Sequence, residues 1–209
     1  MHALTVAYVA VIVAGLATPT AMAIEEPRFK LLENEDSFEL REYSSYVVAE
    51  TRVEAGFEDA GGIAFQRLFR YISGNNVAQS EIAMTAPVTQ SRSEKISMTA
   101  PVSQVADGTA YVVSFTLPFG YTPATAPKPL DPAVQIREVP AQLVACWRYS
   151  GRWTTDNYRE HEALLRDRIA ERGLVVRGAP VLARYNPPFT PWFMRRNEVL
   201  IPVAFRPKQ

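Results

Sequence analysis

The sequence predicts an α+β fold on a mostly antiparallel sheet, and three observations carry the prediction. Two stretches place apolar residues three and four positions apart, as one stripe of a helix requires. Several others alternate apolar with polar residues, the mark of a half-buried strand. Their order is strand pair, helix, strands, then again strand pair, helix, strands. That order predicts duplicated halves with two helices lying on one sheet.

In chain order, Ala3 to Ala17 form an apolar run of the length of a signal-peptide core, followed by Ala21-Met22-Ala23, an A-x-A cleavage signature. Residues 1–23 are therefore expected to be a signal peptide, which directs the chain to the periplasm or outside the cell. A retained anchor is the alternative, although Gly15 and Pro19 interrupt a run already short of the about 20 residues that a span needs. Residues 24–209 are expected to form one domain, with no further apolar span.

After a short polar lead, Phe38-Glu39-Leu40-Arg41 alternates and reads as the first strand, and Tyr46 to Val53 as the second. From Phe57 to Ile72 the residues Ala60, Ala64, Phe65, Leu68, Phe69 and Ile72 set a helix, which Ser73-Gly74-Asn75-Asn76 stops, with Gly74 placed for the left-handed cap. Met-Thr-Ala-Pro-Val then occurs twice, at Met84 to Val88 and Met98 to Val102, around a polar turn. Proline has no amide hydrogen for a sheet and holds its predecessor extended. The two copies are expected to pair as a hairpin, with Met84 and Met98 as core side chains.

Tyr111, Val113, Phe115 and Leu117 line one face of a further strand. Pro118 to Pro140 is dense in proline but carries apolar residues and no Gly/Ser run, so it reads as an ordered crossover. Val134 to Glu138 and Leu143 to Tyr149 are strands. A second helix is expected from about Asp156 to Arg172, opened by Thr154 or Thr155 and ended by Gly173. Val181 to Tyr185 and Val199 to Phe205 are the closing strands.

Composition narrows the function. The 209 residues are 47% hydrophobic and 21% charged with zero formal net charge, so no basic surface for nucleic acid is indicated. Cys146 is the only cysteine, which excludes an internal disulfide, and it reads as a packed strand residue beside Trp147. No G-x-S-x-G, phosphate loop, G-x-G-x-x-G, H-E-x-x-H or C-x-x-C-H occurs, and Glu160 and Glu162 read as a solvated helix face. The chain is expected not to be an enzyme.

The paired Met-Thr-Ala-Pro-Val motifs stand in order with Phe69-Arg70-Tyr71-Ile72-Ser73-Gly74-Asn75-Asn76 before them, Phe115-Thr116-Leu117-Pro118 after them, and the run from Arg184 to Val199. Together these resemble the SOUL haem-binding protein family from about Phe38 to Phe205. The resemblance implies a distorted, pseudo-twofold antiparallel β-barrel flanked by two helices, related to bacterial effector-binding domains. It also implies non-covalent haem or tetrapyrrole binding in a carrier, buffer or scavenger. Better characterised relatives dock the porphyrin on the first helix and the loop before the last strand, with cations near the propionates. Arg70 occupies one of those cationic positions, and Thr190 stands where the other relatives have a lysine. Glu42 stands where a retinal relative has a proposed histidine ligand.

The residues themselves give a partly separate reading. The apolar arc of the first helix is wide, with Phe65 and Phe69 toward its edge and Arg70 just beyond. A deeply buried helix and a helix with an exposed ligand-binding edge both fit that arc. The loop from Asn186 to Met194 is apolar and stiffened by proline, so Phe189, Trp192 and Phe193 would either wall a ligand site or plug the sheet. Arg195-Arg196-Asn197-Glu198 reads as an internal ion pair and turn, with Arg195 close to such a site.

Burying about 400 Å² of a porphyrin face would gain roughly 10 kcal/mol before the cost of lost freedom. Exposed Arg-propionate pairs add only about 0.2 to 1 kcal/mol each, so apolar contact should dominate. His161, the sole histidine after residue 23, is the one histidine available as an axial ligand, and a packing role is expected for it instead. The remaining readings are a module for another amphipathic small molecule and an envelope protein that binds a protein partner through the aromatic loop.

Overall fold

The structure, a computed structural model, describes residues 24–79 and 92–207. The expected signal peptide and the first Met-Thr-Ala-Pro-Val copy lie outside the described residues. The described chain runs β1 (Phe29–Glu35), β2 (Phe38–Tyr43), β3 (Tyr46–Val53), α1 (Phe57–Ile72), β4 (Asn76–Val77), β5 (Val102–Asp107) and β6 (Ala110–Thr116). It continues with β7 (Lys128–Pro129), β8 (Val134–Val139), β9 (Gln142–Tyr149), α2 (Thr155–Glu171), β10 (Val175–Val176), β11 (Val181–Arg184), a 3₁₀ turn (Trp192–Met194) and β12 (Asn197–Ala204).

Ten strands make one antiparallel sheet in the order β1-β2-β9-β12-β11-β5-β6-β3-β8, with β10 added on β12, while β4 and β7 pair apart. The order shows the duplication directly. In one half β3, α1, β5 and β6 follow one another, and in the other β9, α2, β11 and β12 do the same. Each half lends its leading strand to the other, since β2 pairs with β9 and β8 with β3. The halves meet where β5 pairs with β11, Val105 opposite Val181 and Gln104 opposite Leu182.

The barrel implied by the resemblance is not closed, because β1 and β8 end the path without pairing to each other among the described residues. β1 is exposed along its whole length and carries Lys30, Glu33 and Glu35, charges that discourage further edge pairing. The same exposure explains why no alternation marked β1 in the sequence. The pairing expected between the two Met-Thr-Ala-Pro-Val copies lies outside the described residues, because the first copy does. In the second Met-Thr-Ala-Pro-Val copy Thr99 bridges Glu25, and the last residue, Val102, opens β5 opposite Phe115 and Arg184. β5 and β6 form a hairpin that turns at Gly108 with φ of 61°. Met98 is 41% exposed rather than a core side chain.

Two clusters fill the core, one under each helix. Ala60, Ala64, Leu68 and Ile72 of α1 pack on Val47 and Ala49 of β3, Val113 and Phe115 of β6 and Val134 of β8. Leu165 and Ile169 of α2 pack on Phe38 and Leu40, Ala145, Leu182, Val199 and Ile201. Thr154 caps α2 by accepting a hydrogen bond from the Asn157 amide at 3.4 Å, and Gly173 ends it with φ of 64°.

Side chains alternate across a sheet, so the strand residues between those core positions face away from the helices. Val48, Ser103, Ser114, Val144 and Leu200 there line a cavity of about 230 Å³ that both halves share.

Candidate functional site: an exposed aromatic helix edge and loop

α1 places two phenyl rings on a path from core to surface. Phe65 is half-buried, edge-on to Phe115 at 5.3 Å, and lies parallel to Phe69 at 5.8 Å and 10°. Phe69, one helical turn further, is 45% exposed. The periodicity thus buries the stripe of Ala60, Ala64 and Leu68 and leaves its edge in water. Arg70 is exposed and makes no ion pair among the described residues. Arg67 instead ties the helix to the sheet, donating to Thr51 Oγ1 at 2.7 Å with Asp131 at 3.6 Å.

The loop after β11 holds its rings outward. Phe189 is 85%, Phe193 62% and Trp192 49% exposed, and Trp192 meets Phe193 edge-on at 5.6 Å. Arg195 braces this loop from beneath, its Nε donating to the Thr190 carbonyl and its Nη2 to the Pro188 carbonyl, both at 2.8 Å. Its guanidinium lies 4.1 Å from the centre of the Trp153 ring. Among the described residues the paired rings stay within α1 and its sheet, or within the loop, and no aromatic pair joins the two segments.

Behind the loop, Glu198 on β12 is fully buried and accepts from Arg41 Nη1 at 2.7 Å, Arg41 Nη2 at 3.0 Å, Tyr185 Oη at 2.7 Å and Arg196 Nε at 3.0 Å. Burial alone would raise its pKa, but the bonds and charges of Arg41 and Arg196 outweigh that and hold it down to about 2. Arg196 reaches on to Glu26 at 2.8 Å. The tetrad Arg195 to Glu198 is thus an internal ion pair, as its sequence implied. Burial pushes the Cys146 thiol well above its ordinary value, so this cysteine stays protonated and inert.

His161 is half-buried on α2. Its ring stacks on Tyr149 at 4.1 Å and 14°, and Nδ1 lies 2.7 Å from the Asn157 carbonyl, which can only accept, so Nδ1 carries the proton. The stack on Tyr149 is that of a packing residue, while the Nδ1 bond leaves Nε2 with its lone pair. Among the described residues no group of three or more His, Cys, Asp and Glu is placed to hold a metal ion, and no helix is long and apolar enough to cross a membrane.

The family model for SOUL heme-binding protein matches residues 24–202. No curated protein matches the sequence. Among solved structures, the C-terminal domain of EcmrR superposes with a TM-score of 0.57 at 12% identity, covering 81% of this chain and 98% of that one. EcmrR in its complex with DNA gives 0.59 at 11% identity, over 81% of this chain and 57% of that one. A hydrolase from Listeria innocua gives 0.53 at 11% identity, over 83% and 94%. At these identities the likeness is one of fold alone. With a family match across nearly all of the described residues, this chain belongs to the SOUL heme-binding protein family.

Proposed function

We propose that the chain is an exported, non-enzymatic carrier or buffer that holds haem or a related tetrapyrrole reversibly and without a covalent bond. One observation supports this most: Phe69 on α1 and Phe189, Trp192 and Phe193 in the loop after β11 present aromatic surface to water, three of these four rings within five residues of one another. In this reading Phe65, Phe69, Phe189, Trp192 and Phe193 supply apolar contact, and Arg70 lies near the carboxylates. Arg195 contributes by stiffening the loop, since two of its donors are spent on loop carbonyls. A preformed surface costs less ordering on binding. His161 is half-buried against Tyr149 on α2 and belongs to neither aromatic segment, which favours a pigment held without a histidine on the iron. Export rests on the apolar run and the Ala21-Met22-Ala23 signature.

A second reading is a module for another small amphipathic molecule, favoured by the cavity of about 230 Å³ on the sheet face away from the helices. Pockets that enclose drug-sized ligands span about 300 to 1,000 Å³, so this one suits a ligand smaller than a porphyrin. Competition among hemin, metal-free protoporphyrin and a small hydrophobic dye separates the two. Mutual displacement of the two porphyrins, with the dye displaced less effectively, supports the tetrapyrrole reading. Tight binding of the dye alone overturns it.

A further inference from the structure

The loop end of the sheet carries positive charge that the protein leaves unneutralised. Arg148, Arg152, Arg184 and Arg195 gather there, and none has a carboxylate partner among the described residues. Three of them lie over the local tryptophans: Arg184 and Arg195 over Trp153 at 5.0 and 4.1 Å, and Arg152 over Trp192 at 5.6 Å. Arg184 is only 9% exposed, donates to Gln104 Oε1 at 2.7 Å and has no partner for its buried Nε. In a chain of zero formal net charge, such a cluster marks where an external anion would be stabilised.

Beside it opens a cavity of about 410 Å³ at the ends of β9 and β12. Arg148, Arg195 and Arg196 line it with Ser37, Ser150 and Met194, and no carboxylate does. The acids that meet its lining are already engaged: Glu198 is buried and accepts from Arg41, Tyr185 and Arg196, and Glu26 pairs with Arg196. Arg196 is therefore spent, and Arg195 keeps only its Nη1 and part of its Nη2. Arg148 is exposed and its whole guanidinium fork makes no hydrogen bond among the described residues. A planar fork flanked by two hydroxyls suits a carboxylate, which can accept two parallel bonds from it. Met194, on the rim, is continuous with Trp192 and Phe193 in the 3₁₀ turn.

We propose that this cavity seats the carboxylates of the ligand, with Arg148 as the principal contact and Ser37 and Ser150 as supporting donors, while the apolar body lies over Trp192, Phe193 and Met194. The inference rests on the tetrapyrrole reading above and moves the charged end of the ligand away from Arg70. No residue of α1 lines the cavity.

Protoporphyrin IX and its dimethyl ester, in which two methyl groups cap the propionates and remove both charges, are the probes, titrated into wild type, Arg148→Ala and Arg70→Ala. Arg148→Ala is expected to weaken the free acid about 3- to 5-fold, in the range of an exposed ion pair, and to leave the ester unchanged. Raising the salt to about 0.5 M should erase most of that difference by screening, and the free-acid loss should be larger for Arg148→Ala than for Arg70→Ala. A free-acid loss confined to Arg70→Ala, or equal binding of both probes by wild type and Arg148→Ala, overturns the seat and leaves the tetrapyrrole reading standing. Failure of wild type to bind either probe overturns both, a visibly different result. Arg148 is an exposed side chain, so an unchanged thermal midpoint for Arg148→Ala will show that folding is intact.

Discussion

Arg41 on β2 and Glu198 on β12 face each other across the intervening β9, joined by two hydrogen bonds of 2.7 and 3.0 Å with both side chains almost wholly buried. The pair links an early motif to a late one and fixes the strand exchange that defines the fold. Removing one partner of a buried ion pair leaves an uncompensated charge, a loss of about 3 to 5 kcal/mol. Glu198→Gln should therefore destabilise strongly in chemical denaturation. The double replacement Arg41→Met with Glu198→Leu should recover most of the loss.

The same pair predicts an acid limb of stability. The Glu198 pKa is held at about 2, below its ordinary value of 4.5, so its contribution is complete above about 4.5 and is lost as the pH falls toward 2. Unfolding free energy measured between pH 5 and about 2 should fall more steeply for wild type than for Glu198→Gln. Parallel slopes would contradict the assignment.

Gly61 on α1 has no room for a side chain, because a Cβ there would overlap the guanidinium of Arg184, itself held by Gln104. Gly61→Ala should cost about 1 to 3 kcal/mol by overpacking, despite alanine's higher helix propensity. Arg184 is a poorly compensated charge whose pKa burial lowers to about 10. Arg184→Met should thus be close to neutral on its own and should relieve Gly61→Ala. Denaturation of the two single variants and the double variant checks the coupling.

Phe69 and His161 separate surface binding from iron ligation. Phe69→Asp should leave the thermal midpoint near that of wild type, since the ring is already half in water, and should weaken hemin at least several-fold through lost apolar contact. His161→Ala should lose about 0.5 to 1.5 kcal/mol of stability with its stack on Tyr149. Its hemin affinity and Soret position should match wild type. Titrations of both variants side by side decide the matter.

The helices were legible because their stripes are long and periodic, and α1 spans the residues its pattern implied. The duplication was legible in element order. It was written in the residues too, since Leu40-Arg41-Glu42 recurs as Ile136-Arg137-Glu138 on the exchanged strands β2 and β8. β1 escaped notice because a wholly exposed strand has no alternation to read. Met98 escaped because Thr99, not the methionine, makes the inward contact, its hydroxyl donating to the Thr116 carbonyl. At the site, Phe69 and the loop rings stood out as apolar residues at unusual places. The bracing role of Arg195 and the free fork of Arg148 did not, because both depend on which loop carbonyls and strand ends the folded sheet brings together.

The central claim is that surface aromatic contact holds a porphyrin, and a hemin titration of the chain from residue 24 onward, beside a Trp192→Ala, Phe193→Ser variant, tests it most directly. Wild type is expected to shift the Soret band and quench tryptophan fluorescence saturably at one equivalent, with the variant at least several-fold weaker. A wild-type response no greater than that of an unrelated protein would contradict the account.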